Sequence, residues 1–227
     1  MPTPSETLRQ QLQLYLVTDA SLCAGRSLCD VVLAAVQGGV RCVQLREKTA
    51  CTRDFLAQAQ ALVAVLRPHG VPLLINDRVD IALAAGAQGV HLGQSDMPVA
   101  AARALLPAGA LIGWSVETLD DVARAATLPL DYLGVSPVFA STTKTDTAAP
   151  WGLAGLRAAR AATSLPLVAI GGLQAENAAA VRAAGADGIA VVSAILAAPD
   201  AAQAAAALAA AMVPAASGSA HPLHSFL

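Results

Sequence analysis

The chain carries fourteen basic residues, and only two of them, Lys48 and Lys144, are lysines; the other twelve are arginines. Each lysine stands in a polar stretch just after an apolar run: Lys48 closes Gln44-Leu45-Arg46-Glu47-Lys48, and Lys144 closes Ser141-Thr142-Thr143-Lys144. A compact ammonium kept at these places, in a chain that otherwise uses arginine, points to charges set against phosphate oxygens. Two carboxylates occur in similar settings, Asp77 in Asn76-Asp77-Arg78 and Asp96 in His91-Leu92-Gly93-Gln94-Ser95-Asp96. Each alone can cap the helix that follows it. Placed at one rim beside phosphates, two carboxylate oxygens are what Mg²⁺ accepts, and for the pair the metal reading is favoured. Arg46 leaves two readings open, a structural ion pair or an anionic ligand. Ser115, in Gly113-Trp114-Ser115, offers a hydroxyl to a phosphate or a ring nitrogen. Gly171-Gly172, just before a helix beginning near Gln174, and Val191-Val192-Ser193 offer backbone N–H groups to an anion. His91 lies within a strand and reads as a satisfied core histidine.

Elements that bring these residues together are legible in the pattern. Short β-branched runs at 14–18, 40–46, 72–76, 88–92, 110–115, 131–135, 166–170 and 187–192 alternate with longer Ala/Leu-rich segments of helical period. Eight such pairs in one compact unit predict an α/β fold, a single (β/α)₈ TIM barrel, whose chemistry sits on the loops that follow the strands. Strand parity turns Val43 and Leu45 toward the helices and Gln44 and Arg46 into the barrel mouth. The segments Ala85-Gly86-Ala87-Gln88-Gly89-Val90 and Ala184-Gly185-Ala186-Asp187-Gly188-Ile189 echo each other half a barrel apart, with Gly86 and Gly185 read as helix C-terminal glycines. The long polar loop after the sixth strand, ending near Pro150, reads as a lid or binding loop.

With 227 residues and no break in composition until about residue 213, one domain is expected. Its parts are an N-terminal extension at 1–11, the barrel at 12–213, and a tail at 214–227 outside the fold, where His221 and His224 lack a third ligand. Mean hydropathy is +0.56, but the excess is mostly alanine, and the apolar runs are too short to span a bilayer. The polar N-terminus shows no secretory signal, so a cytoplasmic protein is expected. Cys23, Cys29, Cys42 and Cys51 have no metal or disulfide spacing and read as small buried hydrophobes in a reducing compartment. A net charge of −2 with 3% aromatic residues gives neither a basic footprint nor a stacking platform, which excludes nucleic acid as an expected partner. Oligomeric state is left open, a homo-oligomer included.

In this order on eight strands, QLREK at 44–48, ND at 76–77, HLGQSD at 91–96, G-x-S at 113–115, P-V-F-x-S-x-T-K at 137–144, GG at 171–172 and VVSAI at 191–195 resemble the thiamine-phosphate synthase family over roughly residues 12–211. The resemblance implies a transferase that condenses a hydroxymethylpyrimidine diphosphate with a thiazole phosphate, through loss of diphosphate to a carbocation-like species. It further implies that Gln44, Arg46, Lys48, Asn76, Ser115 and Lys144 hold the pyrimidine diphosphate, with Arg46, Lys48, Ser115 and Lys144 catalytic. Asp77 and Asp96 would bind one Mg²⁺ per subunit, and Ser141, Thr143, Gly172, Val192 and Ser193 the thiazole phosphate. Ser141 stands where the family usually has Thr, and Glu117 where His is common. The alternatives are a thiazole tautomerase of the same lineage, which would need an acid/base on the loop after the sixth strand where Ser136-Pro137 has none, and a barrel that only binds a phosphorylated ligand.

Overall fold

A computed structural model describes residues 3–140 and 149–213. Eight parallel strands pair in chain order and the last returns to the first, closing a barrel. They are β1 (Leu14–Val17), β2 (Cys42–Leu45), β3 (Leu73–Asn76), β4 (Gly89–Leu92), β5 (Leu111–Val116), β6 (Tyr132–Val135), β7 (Leu167–Ile170) and β8 (Gly188–Val191). Seven lie within the expected runs, and β5 passes its run by one residue. Around them lie α1 (Pro4–Leu12), α2 (Leu28–Gln37), α3 (Thr52–Leu66), α4 (Val79–Ala85), α5 (Val99–Leu105), α6 (Leu119–Ala125), α7 (Gly152–Ala162), α8 (Ala175–Ala183), α9 (Ser193–Leu196) and α10 (Ala201–Ala211). Gly86 and Gly185 take positive φ at the ends of α4 and α8, as the repeat predicts.

The two-residue period of each strand sorts its side chains into two cores. Val43 and Leu45 pack outward against the helices, in one layer with Leu16, Leu73, Ile75 and Leu133. Tyr15, Cys42, Leu74, Tyr132, Val168 and Ala190 fill the barrel interior. At the N-terminal ends of the strands the interior is closed by α1, whose Leu12 is fully buried and whose Leu8 packs on the same cluster. The N-terminal extension thus folds as a helix. Thr3 accepts from the N–H of Glu6 and Glu6 reaches back to the N–H of Thr3, a capping box with Pro4 in the first turn. Arg9 ties this helix to Asp187 and to the Ser164 carbonyl.

All four cysteines are free. Cys23 and Cys42 are buried as expected, whereas Cys29 is half-buried and Cys51 is exposed at the start of α3. The expectation of four buried thiols therefore fails for these two, because α2 and α3 turn those positions partly or wholly to solvent. Among the described residues no helix is long and apolar enough to cross a membrane. Ser141, Thr143, Lys144 and the tail with His221 and His224 lie outside the described residues.

Candidate active site

A cavity of about 580 Å³ opens at the C-terminal ends of the strands, within the ordinary range for small-molecule sites. Gln44, Arg46 and Lys48 reach it from β2 and the loop beyond, Asn76 and Asp77 from β3, and Asp96 from the loop after β4. Ser115 enters from β5, Gly172 from the loop after β7, and Val192 and Ser193 from the end of β8. These ten are all of the sequence-predicted site residues that the structure describes, and it brings them to one mouth. Glu117, the departure noted after Ser115, is exposed on the same rim.

Neither aspartate caps a helix. The caps of α4 and α5 are Arg78 and Pro98, and neither has a side-chain cap bond. Asp77 instead turns the chain sharply at the end of β3 with φ 63°, a left-handed conformation that Asp and Asn tolerate better than most residues. This turn sets its carboxylate within hydrogen-bonding reach of Asp96 and 2.6 Å from the Lys48 ammonium. Asp96 is held by the Gly93 N–H at 2.6 Å. Burial pushes the Asp77 carboxyl up, but the hydrogen bond with Asp96 and the Lys48 ammonium outweigh it, and its pKa falls below the usual value. For Asp96, burial and the neighbouring Asp77 act together and raise it. Two neighbouring carboxylates, of which Asp77 pairs with Lys48, form a site that a further cation would complete.

The donor chemistry fits Mg²⁺. Among the described residues no cluster of three or more His, Cys, Asp or Glu side chains could cage an ion. Two hard carboxylate oxygens with open cavity beside them suit a cation that keeps water and takes its remaining ligands from substrate phosphates. Among the described residues the Arg46 side chain makes no ion pair, while its backbone N–H donates to Thr18 Oγ1 at 3.1 Å. The structural-pair reading of Arg46 therefore has no support within them.

Beneath the rim lies a polar chain that sequence reading did not find. Gln44 Nε2 donates to the Tyr15 hydroxyl at 2.8 Å, which lies 3.0 Å from the Tyr132 hydroxyl. Tyr132 is 2.8 Å from His91 Nδ1, and His91 Nε2 is 2.9 Å from Ser115 Oγ. His91 is satisfied at both ring nitrogens, as expected, yet it is half-buried on the cavity floor rather than in the core. One signal was available for Tyr15 and Tyr132: they are the chain's only two tyrosines, and both fall on predicted strands.

On the far side, Gly171 and Gly172 take φ 107° and 63°. A Cβ on Gly172 would stand 2.8 Å from the Ala140 carbonyl oxygen and 2.9 Å from Phe139 Cβ. These glycines thus have a packing reason beside the anion-binding one, because they let the loops after β6 and β7 pass in contact. Asn177 Nδ2 donates to the Gly172 carbonyl at 2.9 Å and fixes the turn into α8. Val192 and Ser193 lead directly into α9, a helix of four residues whose dipole is correspondingly small.

Comparison with known proteins places the chain among relatives. Residues 14–195 match the family model described as thiamine monophosphate synthase. The thiamine-phosphate synthase of Albidiferax ferrireducens is 70% identical over 191 residues, 84% of this chain and 87% of that protein. That of Chloroflexus aurantiacus is 55% identical over 188 residues, 83% and 87% respectively. Among solved structures, the thiamine phosphate pyrophosphorylase from Pyrococcus furiosus is similar with a TM-score of 0.83 and 37% identity, over 90% of this chain and 97% of that one.

Proposed function

This chain belongs to the thiamine monophosphate synthase family, and from that premise we propose that its barrel mouth joins a hydroxymethylpyrimidine diphosphate to a thiazole phosphate, releasing thiamine phosphate and diphosphate. It is a transferase, and both substrates are small phosphorylated molecules. The observation that carries the assignment to this mouth is the meeting of Asp77, Asp96, Arg46 and Lys48 on one rim of a cavity whose other rim is built from Gly172, Val192 and Ser193.

In this reading the C–O bond to the diphosphate breaks first, leaving a pyrimidinylmethyl cation that the ring amino group stabilises and the thiazole nitrogen then attacks. No protein nucleophile is required. Gln44, Asn76 and Ser115 hold and orient the pyrimidine, while Arg46, Lys48 and Lys144 neutralise charge growing on the leaving oxygens, where fixed cations act most strongly. Asp77 and Asp96 would hold one Mg²⁺ per subunit, which supplies Lewis-acid stabilisation of the departing diphosphate. Ser141, Thr143, Gly172, Val192 and Ser193 take the thiazole phosphate and set its nitrogen against the cation. The working compartment is the cytoplasm.

The test is turnover of the purified chain with both substrates, with and without excess EDTA. Thiamine phosphate formed only when both substrates and Mg²⁺ are present is the expected result. No product from either substrate would leave a barrel that only binds phosphorylated ligands. Isomerisation of the thiazole phosphate without the pyrimidine would assign the tautomerase reaction instead, and full turnover in EDTA would remove the metal from the mechanism.

A further inference from the structure

The polar chain under the mouth is an unusual filling for a barrel of this kind, whose interior layers are normally branched aliphatics. Tyr15 and Tyr132 are 1% and 0% exposed. The backbone is cleared to admit the rings: a Cβ on Gly113 would stand 2.0 Å from Tyr132 Cζ, and one on Gly134 would stand 2.9 Å from His91 Cε1. Two interior positions are thus kept bare for the two rings that connect Tyr15 to Ser115.

Donor strength sets the sense of the chain. A phenol is the better proton donor and an imidazole nitrogen the better acceptor, so at 2.8 Å Tyr132 gives its proton to His91 Nδ1. The Tyr132 oxygen then receives the Tyr15 proton, and the Tyr15 oxygen receives the Gln44 amide N–H, so that each hydroxyl gives one proton and accepts one. Burial keeps both phenols, and the Cys42 thiol beside Tyr15, well above their usual pKa ranges, so none of these groups ionises near neutral pH. In a neutral imidazole this leaves the single ring proton on Nε2, 2.9 Å from Ser115 Oγ, to which it donates. The Ser115 proton must then point away from His91, toward the cavity.

We propose that His91 and Tyr132 are positioning residues: together they hold His91 as the Nε2–H tautomer and so aim the Ser115 hydroxyl proton at the pyrimidine substrate. The inference rests on the reading of Ser115 as a substrate contact. It adds to that reading a device, buried at the base of the same cavity, that fixes the direction of the proton.

Imidazole ¹⁵N NMR of the wild-type protein, with His91 assigned by loss of its signals in His91→Gln, reads the tautomer directly. The expected spectrum has a protonated Nε2 and an unprotonated, accepting Nδ1; a protonated Nδ1 overturns the proposal. Tyr132→Phe keeps the ring and removes the donor, and it is expected to lower kcat/KM for the pyrimidine diphosphate about tenfold, the worth of one hydrogen bond, with the KM for thiazole phosphate unchanged. In a Ser115→Ala background the same change is expected to cost less than about twofold, because the device has lost its target. Equal losses in both backgrounds overturn the positioning role and leave the synthase reading intact. A fully active Ser115→Ala overturns the role of Ser115 and this inference with it, again without touching the family assignment. If Tyr132→Phe folds poorly, the wild-type tautomer still decides, and Tyr15→Phe, one link further away, is expected to give a loss in the same direction of about threefold.

Discussion

At the floor of the barrel, Asp187 accepts from Arg9, from Arg160 Nη1 at 3.0 Å and from the Leu167 N–H at 2.8 Å, and α1 closes the interior above it. At the mouth, Asp77 and Asp96 lie within reach of each other and Lys48 pairs with Asp77, while Arg46 makes no ion pair among the described residues. The floor sets two cations against one half-buried anion and satisfies that anion with backbone as well. Charge at the mouth is crowded and incompletely matched, which is unfavourable for the folded chain alone and favourable once a cation and an anionic ligand arrive. The same strands therefore run from an end built for stability to an end built for binding, and substitutions at the two ends should separate stability from activity.

The largest separation is expected from Asp77→Asn. Asn tolerates the left-handed φ of 63°, so the turn survives while one anionic oxygen is lost. Steady-state kinetics at limiting Mg²⁺ should show kcat reduced roughly 10² to 10³-fold, the scale of one lost electrostatic contact in a transition state. Thermal unfolding in metal-free buffer should shift by no more than about 2 °C, since the change also removes a like-charge neighbour of Asp96. Unchanged activity would make Asp77 a turn residue only and would remove the contrast between the ends.

Asp187→Asn is the mirror experiment. It leaves the Arg9 and Arg160 guanidiniums without their shared counter-charge at a site only 19% exposed on the carboxylate side. After discounting for this partial exposure, a loss of about 2 kcal/mol is expected, which lowers Tm by roughly 4 to 8 °C for a domain of this size. Differential scanning calorimetry measures it. At a temperature where the variant is folded, kcat should stay within about twofold of wild type, because catalysis depends on the other end. A fall in kcat as large as that for Asp77→Asn would show that floor and mouth are one unit.

How far these two ends could be read from sequence differs in kind. The strands were legible because short apolar runs with β-branched residues alternate with longer Ala/Leu-rich segments of helical period, and parity alone sent Gln44 inward and Val43 and Leu45 outward. The floor helix was also readable in principle, from Thr3-Pro4-Ser5-Glu6, but the polarity of residues 1–11 suggested an extension instead. Asp77 and Asp96, each taken alone, stayed ambiguous between cap and ligand and only the pair favoured a metal, because for Asp77 the choice depends on a backbone φ that no spacing reveals. The chain from Gln44 to Ser115 was out of reach for a different reason. Its central contact joins Tyr15 to Tyr132 across 117 residues and exists only because the barrel closes.

A smaller effect, confined to the mouth, is expected from Gly172→Ala. The added Cβ meets the Ala140 carbonyl oxygen at 2.8 Å and must hold φ at 63°, so the loops after β6 and β7 are pushed apart at a conformational cost of roughly 1 to 2 kcal/mol. Because the proposed thiazole-phosphate residues sit on this side, the KM for thiazole phosphate should rise about tenfold while that for the pyrimidine diphosphate changes less than about twofold. Equal rises in both would mean that Gly172 serves only the packing of the two loops, and that the mouth is not divided between its substrates.

Glu47 gives the smallest effect and marks where the mouth stops being functional. It lies between Arg46 and Lys48, but its Oε1 accepts from the N–H groups of Thr49 and Ala50 at 2.7 and 3.1 Å and from the Thr49 hydroxyl at 3.0 Å, closing the turn that follows β2. The Thr49 N–H is the main reason its carboxyl sits below the usual glutamate pKa; burial opposes it, and the Ala50 N–H and the Thr49 hydroxyl add smaller downward contributions. A carboxyl depressed in the folded state contributes stability that is fully present above the unfolded pKa and is lost as pH falls through the folded one. Glu47→Gln, which cannot ionise, should therefore lower stability by a few tenths of a kcal/mol at neutral pH, after discounting for exposure, and by nothing once the wild-type group is protonated. Unfolding midpoints in urea across pH 3 to 7 should converge at the acid end, with kcat unchanged at pH 7. A loss of kcat with no convergence would assign Glu47 to the reacting side of the rim with Arg46 and Lys48, and would move the boundary between binding and scaffold one residue outward.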